Sequence, residues 1–90
     1  MARSCSGIFP LSTYTTTTSN QEVLKNLLSS VNASEAIIVA FLPDISPCSI
    51  SINNRAFISI DALETTEISA GIHSLRIATA GTKFQLQVEY

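Results

Sequence analysis

Between Leu75 and Val88 the chain alternates. Leu75, Ile77, Phe84, Leu86 and Val88 are apolar on either side of the break "ATAGT", while Arg76, Lys83, Gln85 and Gln87 take the intervening positions. A period of two is what a half-buried β-strand requires, because successive side chains leave opposite faces. The segment is therefore committed to a sheet with one dry and one wet side. With Ala80-Gly81 as a two-residue turn, it closes as a hairpin in which Thr79 faces Thr82, Ile77 faces Phe84, Leu75 faces Leu86 and His73 faces Val88. Ile77 and Leu75 then meet Phe84 and Leu86 across the ladder.

The same reading extends upstream. "AIIVAFLP" is apolar on both parities from Ala36 to Leu42 and stops at Pro43, the pattern of a central strand covered on both faces. "PDISPCS" is turn chemistry. Alternation resumes with Cys48, Ile50 and Ile52 and continues through Ala56, Ile58 and Ile60. Keeping these on one face requires a three-residue connection, Asn53 to Arg55, that pairs Ile50 with Ile58. A two-residue Asn53-Asn54 turn would instead oppose Ile50 with Phe57; asparagine tolerates either. "DALETTEISAG", about 61 to 71, reads as a polar connection.

Nearer the start, "LSTYTTTTSN" is rich in β-branched threonine and reads as an extended arm or an edge strand. The period then changes: Val23, Leu24, Leu27, Leu28 and Val31 share a helical stripe, and Ser19 and Glu22 have capping-box spacing. These signals predict one short amphipathic helix over about 19 to 32. The expected fold is mainly β, a small antiparallel β-sandwich or open barrel with one short α-helix. Residues 1–90 form a single domain, with 1–18 as the arm or edge strand.

Charge narrows the function classes. Seven acidic and five basic residues give a net charge of −2, and Arg3, Lys25, Arg55, Arg76 and Lys83 are scattered, so the basic footprint of a nucleic-acid binder is missing. No apolar run reaches the roughly 18 to 20 residues of a membrane-spanning helix. "MARSCSGIFPLS" lacks the continuous apolar stretch of about 7 to 15 residues of a secretory signal, which leads to the expectation of a soluble protein made inside a cell. Cys5 and Cys48 can be bonded or free; an intracellular start points to free, partly buried thiols. "NAS" at Asn32 to Ser34 matches a glycosylation acceptor, which carries weight only in a secreted protein.

No constellation carries catalysis. His73 is the only histidine, and the hairpin register sets it on the apolar face without a second ligand or nucleophile. With Cys5 and Cys48 it falls short of a four-ligand zinc site. Asp61, Glu64 and Glu67 are spaced three apart, but they lack the order and glycine of a calcium-binding EF-hand loop and read as solvated carboxylates. Serine and threonine are abundant, yet no G-x-S-x-G context supplies a nucleophile. Isolated Gly7, Gly71 and Gly81 make no phosphate loop. No catalytic, cofactor-binding or metal-binding residue is assigned, and no cofactor is expected.

Size set against polarity points to partners instead. Apolar residues make up 46% of this 90-residue chain and charged residues 13%, few charges for a domain that exposes much of its surface. "GIFPLSTY" holds apolar side chains outside any clear core pattern, so a neighbouring chain is expected to cover them. The threonine-rich arm is the natural strand donor to an adjacent sheet edge.

In the second half, "SISINN", "ISAG" and "LRIATAGTKFQLQVEY" resemble segments of the small β-rich structural proteins of tailed bacteriophages: capsid decoration proteins, head fibres and tail adaptors. The resemblance implies a non-enzymatic subunit of the virion, assembled in the host cytoplasm. It also implies binding to capsid or tail subunits, and a symmetric homo-oligomer, with a trimer suited to three-fold positions on a capsid. "INNR" and "AGIHSL" also resemble secreted PEGA-type β-domains, with Asn54 where those carry glycine and Ala70 where they carry proline. That alternative implies a ligand- or glycan-binding module, for which aromatic platforms are needed. Tryptophan is absent, and the two tyrosines are Tyr14 and Tyr90.

Overall fold

The computed structural model describes residues 7–29 and 35–90. In chain order the elements are β1 (Ile8–Thr15), β2 (Gln21–Glu22), α1 (Leu24–Leu28), β3 (Ala36–Pro43), β4 (Cys48–Ile52), β5 (Ile58–Ile60), β6 (Thr66–Ile72), β7 (Leu75–Ile77) and β8 (Lys83–Glu89). The strands form two four-stranded sheets, ordered β1-β8-β3-β6 and β2-β7-β4-β5, and the paired strands run antiparallel. The expected β-sandwich with one short helix is the architecture found.

Among the described residues the chain leaves its sheet at each connection except the β4–β5 hairpin. This overturns the hairpin predicted for residues 73–88. β7 pairs with β2 and β4, whereas β8 lies in the other sheet between β1 and β3. The physical reason is that both hydrogen-bonding edges of each strand are taken by other partners. Leu75, Ile77, Phe84, Leu86 and Val88 are all buried, but they enter one core cluster from opposite layers instead of pairing along a ladder. His73 is displaced accordingly. It sits exposed in the crossover between β6 and β7, where its backbone N–H donates to Asn53 Oδ1 at 2.9 Å.

Two of the tight crossovers are held by polar groups brought from a distant turn or strand end. Where β7 passes to β8, Thr16 is 2% exposed; its hydroxyl donates to the Thr79 carbonyl at 2.8 Å and accepts the Thr82 N–H at 2.9 Å. Gly81, at φ +78°, donates its N–H to the Thr16 carbonyl at 2.8 Å. Where β6 passes to β7, Asn53 Oδ1 accepts the N–H groups of His73 and Ser74, and the Asn53 N–H donates to the Ser74 carbonyl at 2.9 Å.

The β4–β5 connection combines both turns considered. Asn53 and Asn54 have φ of +54° and +61°, and the Arg55 N–H donates to the Ile52 carbonyl at 3.0 Å, which closes a tight asparagine turn. One extra residue is absorbed before β5, so Ile50 pairs with Ile58, the register expected from the apolar pattern. Ile50 and Ile60 are buried, but Ile58 is 48% exposed, because β5 is an edge strand facing an open side of the sandwich.

The remaining differences are of element type. The predicted helix over 19–32 begins only at Leu24, since Gln21 and Glu22 pair with Ile77 and Arg76. Leu24 and Leu28 of the stripe are buried; Val31 lies outside the described residues. Residues 61–71, read as a polar connection, contain most of β6, in which Thr66 and Ile68 are half-buried while Glu67, Ser69 and Gly71 are exposed. β3 is an interior strand as expected, with Ile38 and Phe41 fully buried and Ile37, Val39 and Leu42 half-buried. "LSTYT" belongs to β1, which pairs within its own chain with β8; Tyr14 lies opposite Phe84.

Phe84 stands at the centre of the core, 1% exposed, stacked on Phe41 at 5.3 Å and tilted against Tyr14 at 5.8 Å. Phe84→Ala should therefore cost about 3 to 5 kcal/mol, the range for deleting a buried phenylalanine ring. The check is the urea midpoint at constant slope; an unchanged midpoint would contradict this packing.

Candidate functional site

A well-connected side chain is Glu22. Its Oε2 accepts the N–H groups of Leu24 at 2.9 Å, Lys25 at 3.2 Å and Leu75 at 3.1 Å, and its Oε1 accepts the Ser74 hydroxyl. Glu22 thus satisfies two orphan donors at the start of α1 and fastens that turn to β7. Sequence spacing had paired Glu22 with Ser19 in a capping box; Ser19 is exposed, and Glu22 caps the helix alone. A half-buried carboxylate invites a catalytic reading, but these four donors saturate it in a structural role.

The other singled-out groups do not converge. His73 is exposed on the β6–β7 crossover, and Asp61, Glu64 and Glu67 are exposed around the turn before β6 and on its outer face. Among the described residues, no three histidine, cysteine or acidic side chains are grouped as a metal site. Cys48 is free and buried at the start of β4, and desolvation pushes its thiol up from the usual 9.0. Cys5 lies outside the described residues.

What the fold does offer is surface. A sandwich of two short sheets has two open sides. On one, Ile52, Arg55, Ile58, Ile68 and Ile72 bound a cleft of about 340 Å³ between β5 and β6. On the other, Tyr14, Gln21, Asn26, Leu27 and Phe84 bound a smaller cavity of about 150 Å³ between β1 and the start of α1. Apolar side chains continue onto the exterior: Ile8 and Leu11 on β1, Ile45 in the turn after β3, Phe57 and Ile58 beside the larger cleft, and Leu63 in the loop before β6. Sequence reading anticipated exposed apolar groups in "GIFPLSTY". It missed Ile58, which the alternation through Ala56, Ile58 and Ile60 placed on the core face, whereas Phe57 falls on the outward parity of the same strand.

A single antiparallel β-sandwich, with polar groups spent on its crossovers and apolar groups on its edges, is the class of protein defined here. No family model, no curated protein and no solved structure matches the chain.

Two outcomes follow from these environments. Glu22→Gln leaves one carboxamide oxygen to replace two carboxylate oxygens, and the loss of buried acceptor capacity should destabilise the domain by about 1 to 3 kcal/mol in denaturant titration. Cys48 in the native state should react slowly with a thiolate-selective reagent at mildly alkaline pH and quickly once urea unfolds the chain. Because its thiol is held above its unfolded value, its contribution to stability is complete below that value and falls as pH rises through 9.0 and beyond. Stability that rises over that range in the wild type, relative to Cys48→Ala, would contradict it.

Proposed function

We propose that this protein is a non-enzymatic structural subunit of a bacteriophage virion, a capsid decoration or head–tail accessory protein, acting through protein–protein contacts. The observation that carries the reading is the distribution of apolar surface. Ile8, Leu11, Phe57, Ile58 and Leu63 are exposed along both open sides of a domain with few charges. A surface of that composition gains most from burial against another chain. The resemblance of the C-terminal segments to phage structural proteins supplies the virion context, and localisation to the assembled particle belongs to the same proposal.

The alternative, a ligand- or glycan-binding module, draws on the cleft between β5 and β6, where Arg55 stands at the rim and Phe57 is exposed close by in sequence. Tyr14 and Tyr90 are less suited to a sugar platform, since their rings pack on Phe84 and Phe9. Mass spectrometry of gradient-purified particles from the source culture separates the readings. A virion subunit is recovered from the particle band at fixed stoichiometry. Recovery only from the soluble fraction, with saturable carbohydrate binding lost in Phe57→Ala, would overturn the structural reading.

A further inference from the structure

Four strand edges border the two sheets: β1 and β6 in one, β2 and β5 in the other. They differ in their capacity to template another strand. β2 has two residues and β5 three, too short to template more than a minimal ladder with another chain. β6 is longer but carries Glu67, with Glu64 just before it, and self-pairing would bring carboxylates together. β1 has eight residues, and no charged residue occurs from Ser4 to Gln21. Natural edges are commonly protected by an inward charge, a proline or a bulge. β1 has the last two only in its first half, with Pro10 inside the register shift between Phe9 and Ser12. From Ser12 to Thr15 the edge is regular, and among the described residues no strand pairs with its outer side.

The direction of its peptide groups follows from its ends. Thr16 turns both backbone groups toward the β8 side, donating to the Thr82 carbonyl at 3.0 Å and accepting the Gly81 N–H at 2.8 Å. In an antiparallel ladder this orientation alternates residue by residue. Ser12 and Tyr14 therefore bond to β8, and Thr13 and Thr15 turn their N–H and C=O groups outward.

We propose that β1 pairs antiparallel with β1 of a second copy about a two-fold axis at Tyr14, setting Thr13 opposite Thr15 of the other copy. This rests on the reading of the protein as an assembling subunit and specifies where one of its contacts lies. The second copy is the occupant that fits, because an uncharged edge meets itself without opposing like charges, and threonine beside threonine is a favourable cross-strand pair. The bulge selects the register. Shifting the axis to Thr13 would oppose Thr15 to Leu11, where the ladder is already broken. Exposed Leu11 and the Tyr14 flank of the 150 Å³ cavity would then lie at the new interface.

Sedimentation velocity on the full chain over a dilution series from roughly 100 µM, a range suited to a small, weak interface, tests this. The expected result is a concentration-dependent dimer. Thr13→Pro removes an outward N–H without touching the β8 ladder and should weaken the dimer roughly tenfold or more. Thr13→Lys/Thr15→Lys, which brings four ammonium groups to the axis, should abolish it, and circular dichroism should show both variants folded. A wild type that stays monomeric over the series overturns the proposed edge, while recovery from purified particles still decides the subunit role. A wild-type oligomer that persists in the folded lysine variant also overturns the edge and leaves the assembly reading standing.

Discussion

A chain that changes sheets at nearly every turn must carry peptide groups past the rim of its own core, where water cannot satisfy them. The fold depends on meeting that constraint. Burying an unpaired backbone N–H or carbonyl costs on the order of 1 to 3 kcal/mol, comparable with the gain from burying one aliphatic side chain. This structure meets it with three polar side chains placed far away in sequence. Thr16 completes the crossover at Thr79–Thr82, Asn53 completes the one at His73–Ser74, and Glu22 takes the N–H of Leu75 together with the start of α1. Each sits on the strand end or turn that the crossover must pass, so the polar contacts also fix how the two layers align.

The same constraint explains which parts of the fold were legible. Alternation correctly marked Leu75, Ile77, Phe84, Leu86 and Val88 as core, because inward and outward positions depend only on the strand's own pleat. The partner of a strand is a different matter. Ala80-Gly81 looks like a hairpin turn, and nothing local distinguishes a turn within a sheet from an arch between sheets. That difference lies in Thr16, more than sixty residues from Thr82. In the β4–β5 connection, where the hairpin is real, the apolar pattern and the asparagine pair together led to the correct register. Gln21 and Glu22 illustrate the converse: they fell inside the helix predicted over about 19 to 32, but pairing with β7 claimed their backbone first. β6 was missed, because the alternation of "TEISAGI" is diluted by threonine, serine and glycine.

Of the candidate site, the sequence made the chemistry legible and not the placement. The residue types that could act on a substrate are few, and among the described residues the fold does not gather His73, Cys48 and the Asp61–Glu67 carboxylates into a cluster of three. Glu22, a well-ligated carboxylate, turns its oxygens toward backbone and serine donors. What remains at the surface is apolar area along the rims of two small sheets. Its extent around β5 was half hidden, because alternation assigns Ile58 to the interior and leaves only Phe57 on the outward parity.

The pairing of β1 with β8 also governs how the chain reaches this state. Ile8 lies beside Glu89 and Thr15 beside Lys83, so the sheet containing most of the aromatic core cannot be assembled until the segment holding β8 is available. Such non-local closure places the domain among slow β folders, on timescales of roughly milliseconds to seconds. Throughout that interval the uncharged β1 segment has both edges bare. During synthesis the wait lasts as long as the ribosome takes to traverse the intervening codons. A nascent chain of this kind keeps an extended, threonine-rich segment exposed until its late partner arrives.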